Sequence, residues 1–222
     1  VTAHPAVYSP QILAAIGDRV AAHSLVLDPF AGTGKIHELR KLGTGIRTIG
    51  LELEPEWATM HGDTLRGDAT DLPNGWTGLF DVVATSPCYG NRMADCHEAR
   101  DPSRRITYRH SLGRMPSDGS AAVMQWGPKY RALHEKAWAE AWRVLKAEPG
   151  GIGAPGRLLL NVKDHVRGGQ LQYVPEWHMA TCLTIGFDLI DAVRIPVAGM
   201  RYGENHAARV DHEWLYVLEK NP

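Results

Sequence analysis

Four short stretches of this chain bring side chains with chemistry to offer, and each falls at the end of an apolar run. Ser86-Pro87-Cys88-Tyr89 follows Phe80-Asp81-Val82-Val83-Ala84. A hydroxyl, a thiol and a phenol within four residues, on a proline-stiffened turn, suit the gripping of a flat ring beside a reacting group. Asp28-Pro29-Phe30-Ala31-Gly32-Thr33-Gly34 follows Ser24-Leu25-Val26-Leu27. Its glycines let the backbone pass close to a ligand, and the helix start beyond it offers N–H donors to an anionic group. It is not a Walker loop, since Lys35 is followed by Ile36, and it is not Gly-x-Gly-x-x-Gly. Glu52 closes the run Arg47–Leu53, where an acid can accept from two ribose hydroxyls. Asp68 follows a third run and can accept from an adenine amino group. Each has a plain structural alternative: a tight turn, a solvated strand-end charge of the kind expected for Glu54 and Glu56, or a turn cap.

The elements that must position these residues alternate. Residues 10–22 have helical spacing at Ile12, Leu13, Ile16 and Val20, with Ser9 as N-cap and Pro10 at the first helical position. A strand at 24–28, a helix at about 36–42, a strand at 47–53, a helix opening at Pro55, a third strand closing at Gly67–Ala69 and a fourth at 80–84 follow in turn. Strands alternating with helices predict an α/β fold with a parallel, doubly wound sheet. A strong amphipathic helix is expected at about 130–146, with Trp138 and Trp142 as core. A Gly/Pro linker (149–156) leads to a strand at 157–162, which ends in Lys163-Asp164-His165, either a lining of a ring pocket or a plain strand-end cluster. A helix at about 175–185 and strands at 187–195 and 212–218 complete the pattern. Residues 90–128 break it: they are rich in Arg, Asp, Gly, Ser and Pro, and too long for an ordinary connection.

The 222 residues, 44% of them hydrophobic, are enough for one domain with a sizeable core, 1–222, carrying 90–128 as an inserted loop region. Apolar runs of five or six residues are far short of a membrane helix. His4, Pro5, Tyr8 and Pro10 interrupt any signal-peptide core, so a cytoplasmic protein is expected. Three cysteines without framework spacing argue against a disulfide scaffold. Cys96-His97 has no second pair at zinc spacing, so no metal is expected. The net charge of −1 excludes nothing, because basic residues can be segregated onto one face.

Taken together, Asp28–Gly34, Gly50-Leu51-Glu52, Gly67-Asp68-Ala69 and Thr85-Ser86-Pro87-Cys88-Tyr89 resemble an S-adenosylmethionine-dependent DNA methyltransferase. The likeness is to amino-methyltransferases, and to phage-type members with Tyr-Gly-Asn-Arg-Met-Ala-Asp, here residues 89–95. The resemblance covers most of the chain. It implies a Rossmann-like class I fold with an antiparallel strand near the carboxyl terminus, and S-adenosyl-L-methionine as cofactor. It implies that Tyr8, in His4-Pro5-Ala6-x-Tyr8-Ser9, helps cover the methionine end. Asp28, Pro29, Phe30, Ala31, Gly32, Leu53 and Ala69 would line the site, Glu52 would bind the ribose, and Asp68 would hold the adenine.

The resemblance also assigns the turn. Ser86 and a backbone carbonyl would accept from the target amino group, steering its lone pair toward the methyl, and Tyr89 would stack on a base flipped out of duplex DNA. The serine form of the motif is associated with N4 of cytosine, the aspartate and asparagine forms with N6 of adenine. Cys88 departs from the pattern, which has proline there. Cytosine C5 methyltransferases use Pro-Cys at this turn, their thiolate adding to the ring. That chemistry also needs an acid in Glu-Asn-Val, and Leu160-Asn161-Val162 lacks the glutamate. Cys88 can equally be a small buried replacement for a structural proline. N4 transfer leads, C5 transfer through Cys88 stays open, and adenine N6 transfer or a non-catalytic cofactor-binding subunit remain behind them.

Arginines and aromatics interleave after Tyr89, as suits phosphate contact and base stacking. Asn91, Arg92, Arg104, Arg105 and Arg109 are the expected DNA contacts there. Arg201, in a second basic segment with Met200, Tyr202, His206 and Arg209, is expected to share recognition.

Overall fold

A computed structural model describes residue 4 and residues 7–90, 107–147, 155–197 and 209–221. A seven-stranded sheet runs in the order β3-β2-β1-β4-β5-β9-β8. Strands β1 (Leu25–Asp28), β2 (Arg47–Glu52), β3 (Thr64–Arg66), β4 (Val82–Thr85) and β5 (Arg157–Val162) are mutually parallel. Strand β8 (Phe187–Pro196) and strand β9 (His212–Lys220) are antiparallel, β9 lying against β5. The expected α/β doubly wound sheet with a late antiparallel strand is therefore present. The chain leaves β1 toward β2 on one side and returns to β4 on the other. That reversal opens a crevice at the carboxyl ends of the strands, where ligands bind in such sheets.

Side-chain alternation builds two cores from the same strands. Leu27, Val83, Leu158, Leu160 and Val162 face helix α4 (Pro128–Val144) and helix α5 (Val174–Ile185), packing on Trp138, Ala141 and Cys182. Val26, Val82, Ala84 and Leu159 face the other way, onto helix α1 (Pro10–Gly17) through Ile12, Leu13 and Ile16. Ser9 caps α1 as expected, its Oγ accepting from the Ile12 N–H at 3.2 Å. No helix among the described residues is long and apolar enough to cross a membrane.

Several boundaries differ from the sequence expectation for identifiable reasons. The segment Lys35–Lys41 is a 3₁₀ helix, whose three-residue repeat stacks His37 and Arg40. Both reach the Thr48 hydroxyl of β2, at 2.7 Å each. The helix opened by Pro55 is a single turn, α2 (Pro55–Ala58). Helix α4 stops at Val144, because Leu145 joins a parallel bridge with Phe80 and can no longer continue the helical ladder. A short hairpin, β6 (Val166–Arg167) and β7 (Gln170–Leu171), follows β5 and was not expected, although Gly168-Gly169, both at positive φ, is the two-residue loop such a hairpin favours.

The described part of the insertion, 107–127, is not structureless. It holds helix α3 (Tyr108–Leu112), capped by Thr107. The Arg114 guanidinium ties it to the main domain, donating to Glu54 at 2.7 Å and to both carboxylate oxygens of Glu56 at 2.6–2.7 Å. Glu54 also accepts from the Ser117 N–H and hydroxyl. Glu54 is thus a buried anchor, 1% exposed, rather than the solvated charge expected from its place in the sequence.

Candidate active site

The carboxyl ends of the parallel strands open into one cavity of about 1300 Å³. Tyr8, Pro29, Phe30, Ala31, Gly32, Glu52, Leu53, Asp68 and Ala69 line one part of it, and Ser86, Pro87, Cys88 and Tyr89 another. The two sets expected from the sequence as ligand-binding and reactive are therefore walls of a single space. Asn161, Lys163, Asp164 and His165 from the end of β5, Glu213 from β9, and Thr107, Tyr108 and Ala121 from the insertion complete the lining used below.

Gly32 makes the loop after β1 possible. Its φ is +55°, and a Cβ there would lie 3.1–3.4 Å from the His4 ring. The Gly32 N–H donates to Glu52 Oε2 at 2.7 Å, and the Glu54 N–H donates to Oε1 at 2.9 Å. Two backbone N–H groups thus hold Glu52 in place. Burial raises its carboxyl to about 7, against those two hydrogen bonds, which lower it. Each carboxylate oxygen keeps a second lone pair for a ligand hydroxyl.

Asp28 corrects an expectation. It is fully buried beneath the cavity and does not line it. Its Oδ1 accepts from Thr85 Oγ1 at 2.7 Å and the Phe30 N–H at 3.0 Å, and its Oδ2 from the Tyr8 hydroxyl at 2.9 Å. It ties the entry segment, the glycine loop and the end of β4 together, which is positioning rather than ligand contact. Burial raises it to about 6. Asp68 is partly a cap: its Oδ1 accepts from the Thr70 N–H and hydroxyl, both at 2.8 Å. It still lines the cavity and is exposed, with Oδ2 outside that turn.

At the reactive turn, Ser86 Oγ lies 2.9 Å from the Tyr89 hydroxyl, which in turn donates to Glu213 Oε2 at 3.3 Å. Cys88 turns the other way. Its thiol donates to the Tyr108 hydroxyl at 3.0 Å, and it packs on a small cluster of Trp57, Tyr108 and Ala122. Burial pushes the thiol up to about 11, with the Glu52 carboxylate adding to the shift. Such a thiol is protonated at neutral pH and a poor nucleophile.

A buried polar chain supports the turn from below. The Trp138 indole N–H donates to His178 Nδ1 at 3.0 Å. That bond fixes the proton of the neutral ring on Nε2, which lies 2.9 Å from the Tyr130 hydroxyl. Tyr130 passes its own proton to the Cys88 carbonyl at 2.5 Å. Burial holds His178 well below the ordinary histidine range, so the ring stays neutral. Trp138 is core, as expected, but it also begins this chain. Tyr130 and His178 carried no sequence signal, because the chain joins residues up to 48 positions apart.

Lys163-Asp164-His165 lines the cavity, the first of its two expected readings, and Asn161 beside it was missed. Asn161 Nδ2 donates to the Trp214 carbonyl at 3.3 Å, while its buried Oδ1 has no partner among the described residues. The His165 ring nitrogens are buried beside the Tyr89 backbone, and burial holds the ring below the ordinary histidine range. Of the expected DNA contacts, Arg109 is exposed on α3, one residue from the cavity wall at Tyr108. Asn91, Arg92, Arg104, Arg105 and Arg201 lie outside the described residues, as does the Cys96-His97 pair.

No family model matches this sequence, and no curated protein matches it significantly. Solved structures do match across nearly the whole chain. A TehB-like SAM-dependent methyltransferase from Corynebacterium glutamicum aligns at 16% identity and a TM-score of 0.53, over 95% of this chain and 88% of that one. TrmN from Thermus thermophilus aligns at 19% identity and 0.55, over 95% of this chain but 47% of its own length. The [4+2]-cyclase SpnF aligns at 13% identity and 0.56, over 95% and 81%. The chain thus has the Rossmann-like class I methyltransferase fold. At these identities the likeness fixes the fold and not the reaction, as a cyclase among the neighbours illustrates.

Proposed function

We propose that the chain is an S-adenosylmethionine-dependent DNA methyltransferase that modifies the exocyclic N4 amino group of cytosine. The observation that carries this reading is the opening of Ser86 and Tyr89 into the same cavity as Glu52, Gly32 and Asp68. The donor set suits the cofactor. Glu52 offers spare lone pairs to ribose hydroxyls, Asp68 Oδ2 offers an acceptor to an adenine amino group, and Gly32 removes the side chain where the backbone must approach a ligand.

Bound there, the cofactor supplies an electrophilic methyl group. The chain's own residues hold the acceptor. Ser86 Oγ and a carbonyl of the turn accept from the amino hydrogens and aim the nitrogen lone pair. Tyr89 offers a ring face to a flipped base. The raised, internally bonded Cys88 thiol favours transfer to nitrogen over thiolate-assisted transfer to C5. Arg109, with Asn91, Arg92, Arg104, Arg105 and Arg201, is assigned to DNA contact.

The test is to incubate the protein with S-adenosylmethionine and cytosine-containing duplex DNA, with an RNA of the same sequence in parallel. The products are digested to nucleosides and identified by mass spectrometry. N4-methyldeoxycytidine is expected. C5-methyldeoxycytidine, or methylation of RNA alone, would overturn the reading.

A further inference from the structure

The last strand of the sheet brings a carboxylate to the reactive turn. Strand β9 runs antiparallel to β5, so its amino end meets the carboxyl ends of the parallel strands. The pairing reaches Val162 with Trp214, and Glu213 is the next residue out, at the cavity wall. There it accepts from the Tyr89 hydroxyl at 3.3 Å, 124 positions away in sequence.

The chemistry of the three groups sets the direction of their hydrogen bonds. An ionised carboxylate only accepts. Burial, followed by the Glu213 charge, holds the Tyr89 phenol well above its ordinary range, so Tyr89 keeps its proton and gives it to Glu213. The Tyr89 oxygen must then accept from Ser86, whose hydroxyl lies at 2.9 Å. The Ser86 proton is thereby committed to Tyr89, and the remaining lone pairs of Ser86 Oγ are left to accept hydrogens from a substrate.

We infer that Ser86, Tyr89 and Glu213 form a proton-exit relay, in which Glu213 orients Ser86 as an acceptor and finally takes the proton that amino methylation releases. This rests on the amino-transfer reading above. As the nitrogen–carbon bond forms, the sulfur–carbon bond breaks and its electron pair stays on sulfur. The acceptor nitrogen is left with one proton in excess. That proton passes to Ser86 Oγ, the Ser86 proton to Tyr89, and the Tyr89 proton to the Glu213 carboxylate. Glu213 is half-buried at the cavity wall and returns the proton to water. No other co-reactant is required. Glu213 acts through Tyr89 and is a positioning and proton-accepting residue, not one that touches the base.

The test compares Glu213→Gln, Glu213→Asp, Tyr89→Phe and the Tyr89→Phe/Glu213→Gln double variant. Single-turnover rates on duplex DNA are measured beside DNA affinity by fluorescence anisotropy and thermal stability. Glu213→Gln is expected to slow methyl transfer by roughly 10²-fold, at the low end for lost acid–base assistance. Its DNA affinity should stay within about threefold of the parent, the spread expected of a rim polar change. Glu213→Asp should recover part of the rate. In the Tyr89→Phe background, Glu213→Gln should add no further loss, since the relay is already cut. A parental rate in Glu213→Gln, or losses that multiply in the double variant, would overturn the relay while leaving amino methylation standing. Should Glu213→Gln fail to fold, a parental rate in Tyr89→Phe overturns it equally. If the parent protein yields a product methylated on carbon, both the relay and the function reading fail.

Discussion

The Tyr130 hydroxyl donates to the Cys88 carbonyl at 2.5 Å, so the backbone of the Ser86–Tyr89 turn is fastened to the first turn of helix α4. Tyr130 is fully buried, as are its neighbours His134, Trp138 and His178. The turn is thus braced by buried side chains of the core, the kind of support a precisely held site needs.

Tyr130→Phe removes this bond and leaves the His178 Nε2 proton without an acceptor. An unsatisfied buried donor costs about 1–3 kcal/mol. For a chain of this size, that lowers the melting temperature by about 2–12 °C. The turn should loosen as well, so turnover should fall while cofactor affinity holds. Calorimetry and cofactor titration check both, and an unchanged melting temperature would speak against the chain of bonds.

Cys88→Ser separates the two cytosine chemistries. With the thiol donating to Tyr108 and raised to about 11, a serine can keep that donor role. Methyl transfer is expected to stay within about tenfold of the parent, where loss of a true nucleophile costs several orders of magnitude. Iodoacetamide at pH 7.5 should also leave Cys88 unmodified in the folded protein. Mass spectrometry of the alkylated chain and of the nucleoside product reads the two outcomes.

Glu52 links stability and ligand affinity to pH. Its carboxyl is raised to about 7 in the folded protein, from 4.5. Between those values the native state binds more protons than the unfolded state, so its contribution to stability is present below pH 4.5 and is lost as pH rises to about 7. The span corresponds to about 3 kcal/mol. Asp28, raised to about 6 from 3.8, acts in the same direction at lower pH. Glu52→Gln should flatten the denaturation midpoint between pH 5 and 7 relative to the parent. Hydroxyl donors favour the ionised form, so parental affinity for S-adenosylmethionine should rise through pH 7 and the variant's should not. Parallel midpoints for parent and variant across this range would show that Glu52 does not titrate there.

The candidate site was legible where it is local. Glu52, Asp68 and the Ser86–Tyr89 turn each follow a strand in the sequence, and a parallel sheet places all strand ends on one edge. Asp28 was legible as a strand-end acid but not as a buried tie, because its partners Tyr8 and Thr85 stand 20 and 57 residues away. Glu54 looked like surface for the same reason: the Arg114 and Ser117 that bury it belong to a stretch with no periodicity.

By itself, the sequence determined the alternating elements, the doubly wound sheet and the four stretches that close its strands, since each depends on short-range periodicity and on turn residues a few positions apart. Only the tertiary structure decided which way Cys88 points, which residues hold its carbonyl, and which carboxylate faces Tyr89. Those depend on the antiparallel return of β9 and on the packing of α4 against α5. They are contacts between segments far apart in the chain, whose partners are chosen by the shared core and not by neighbouring residues.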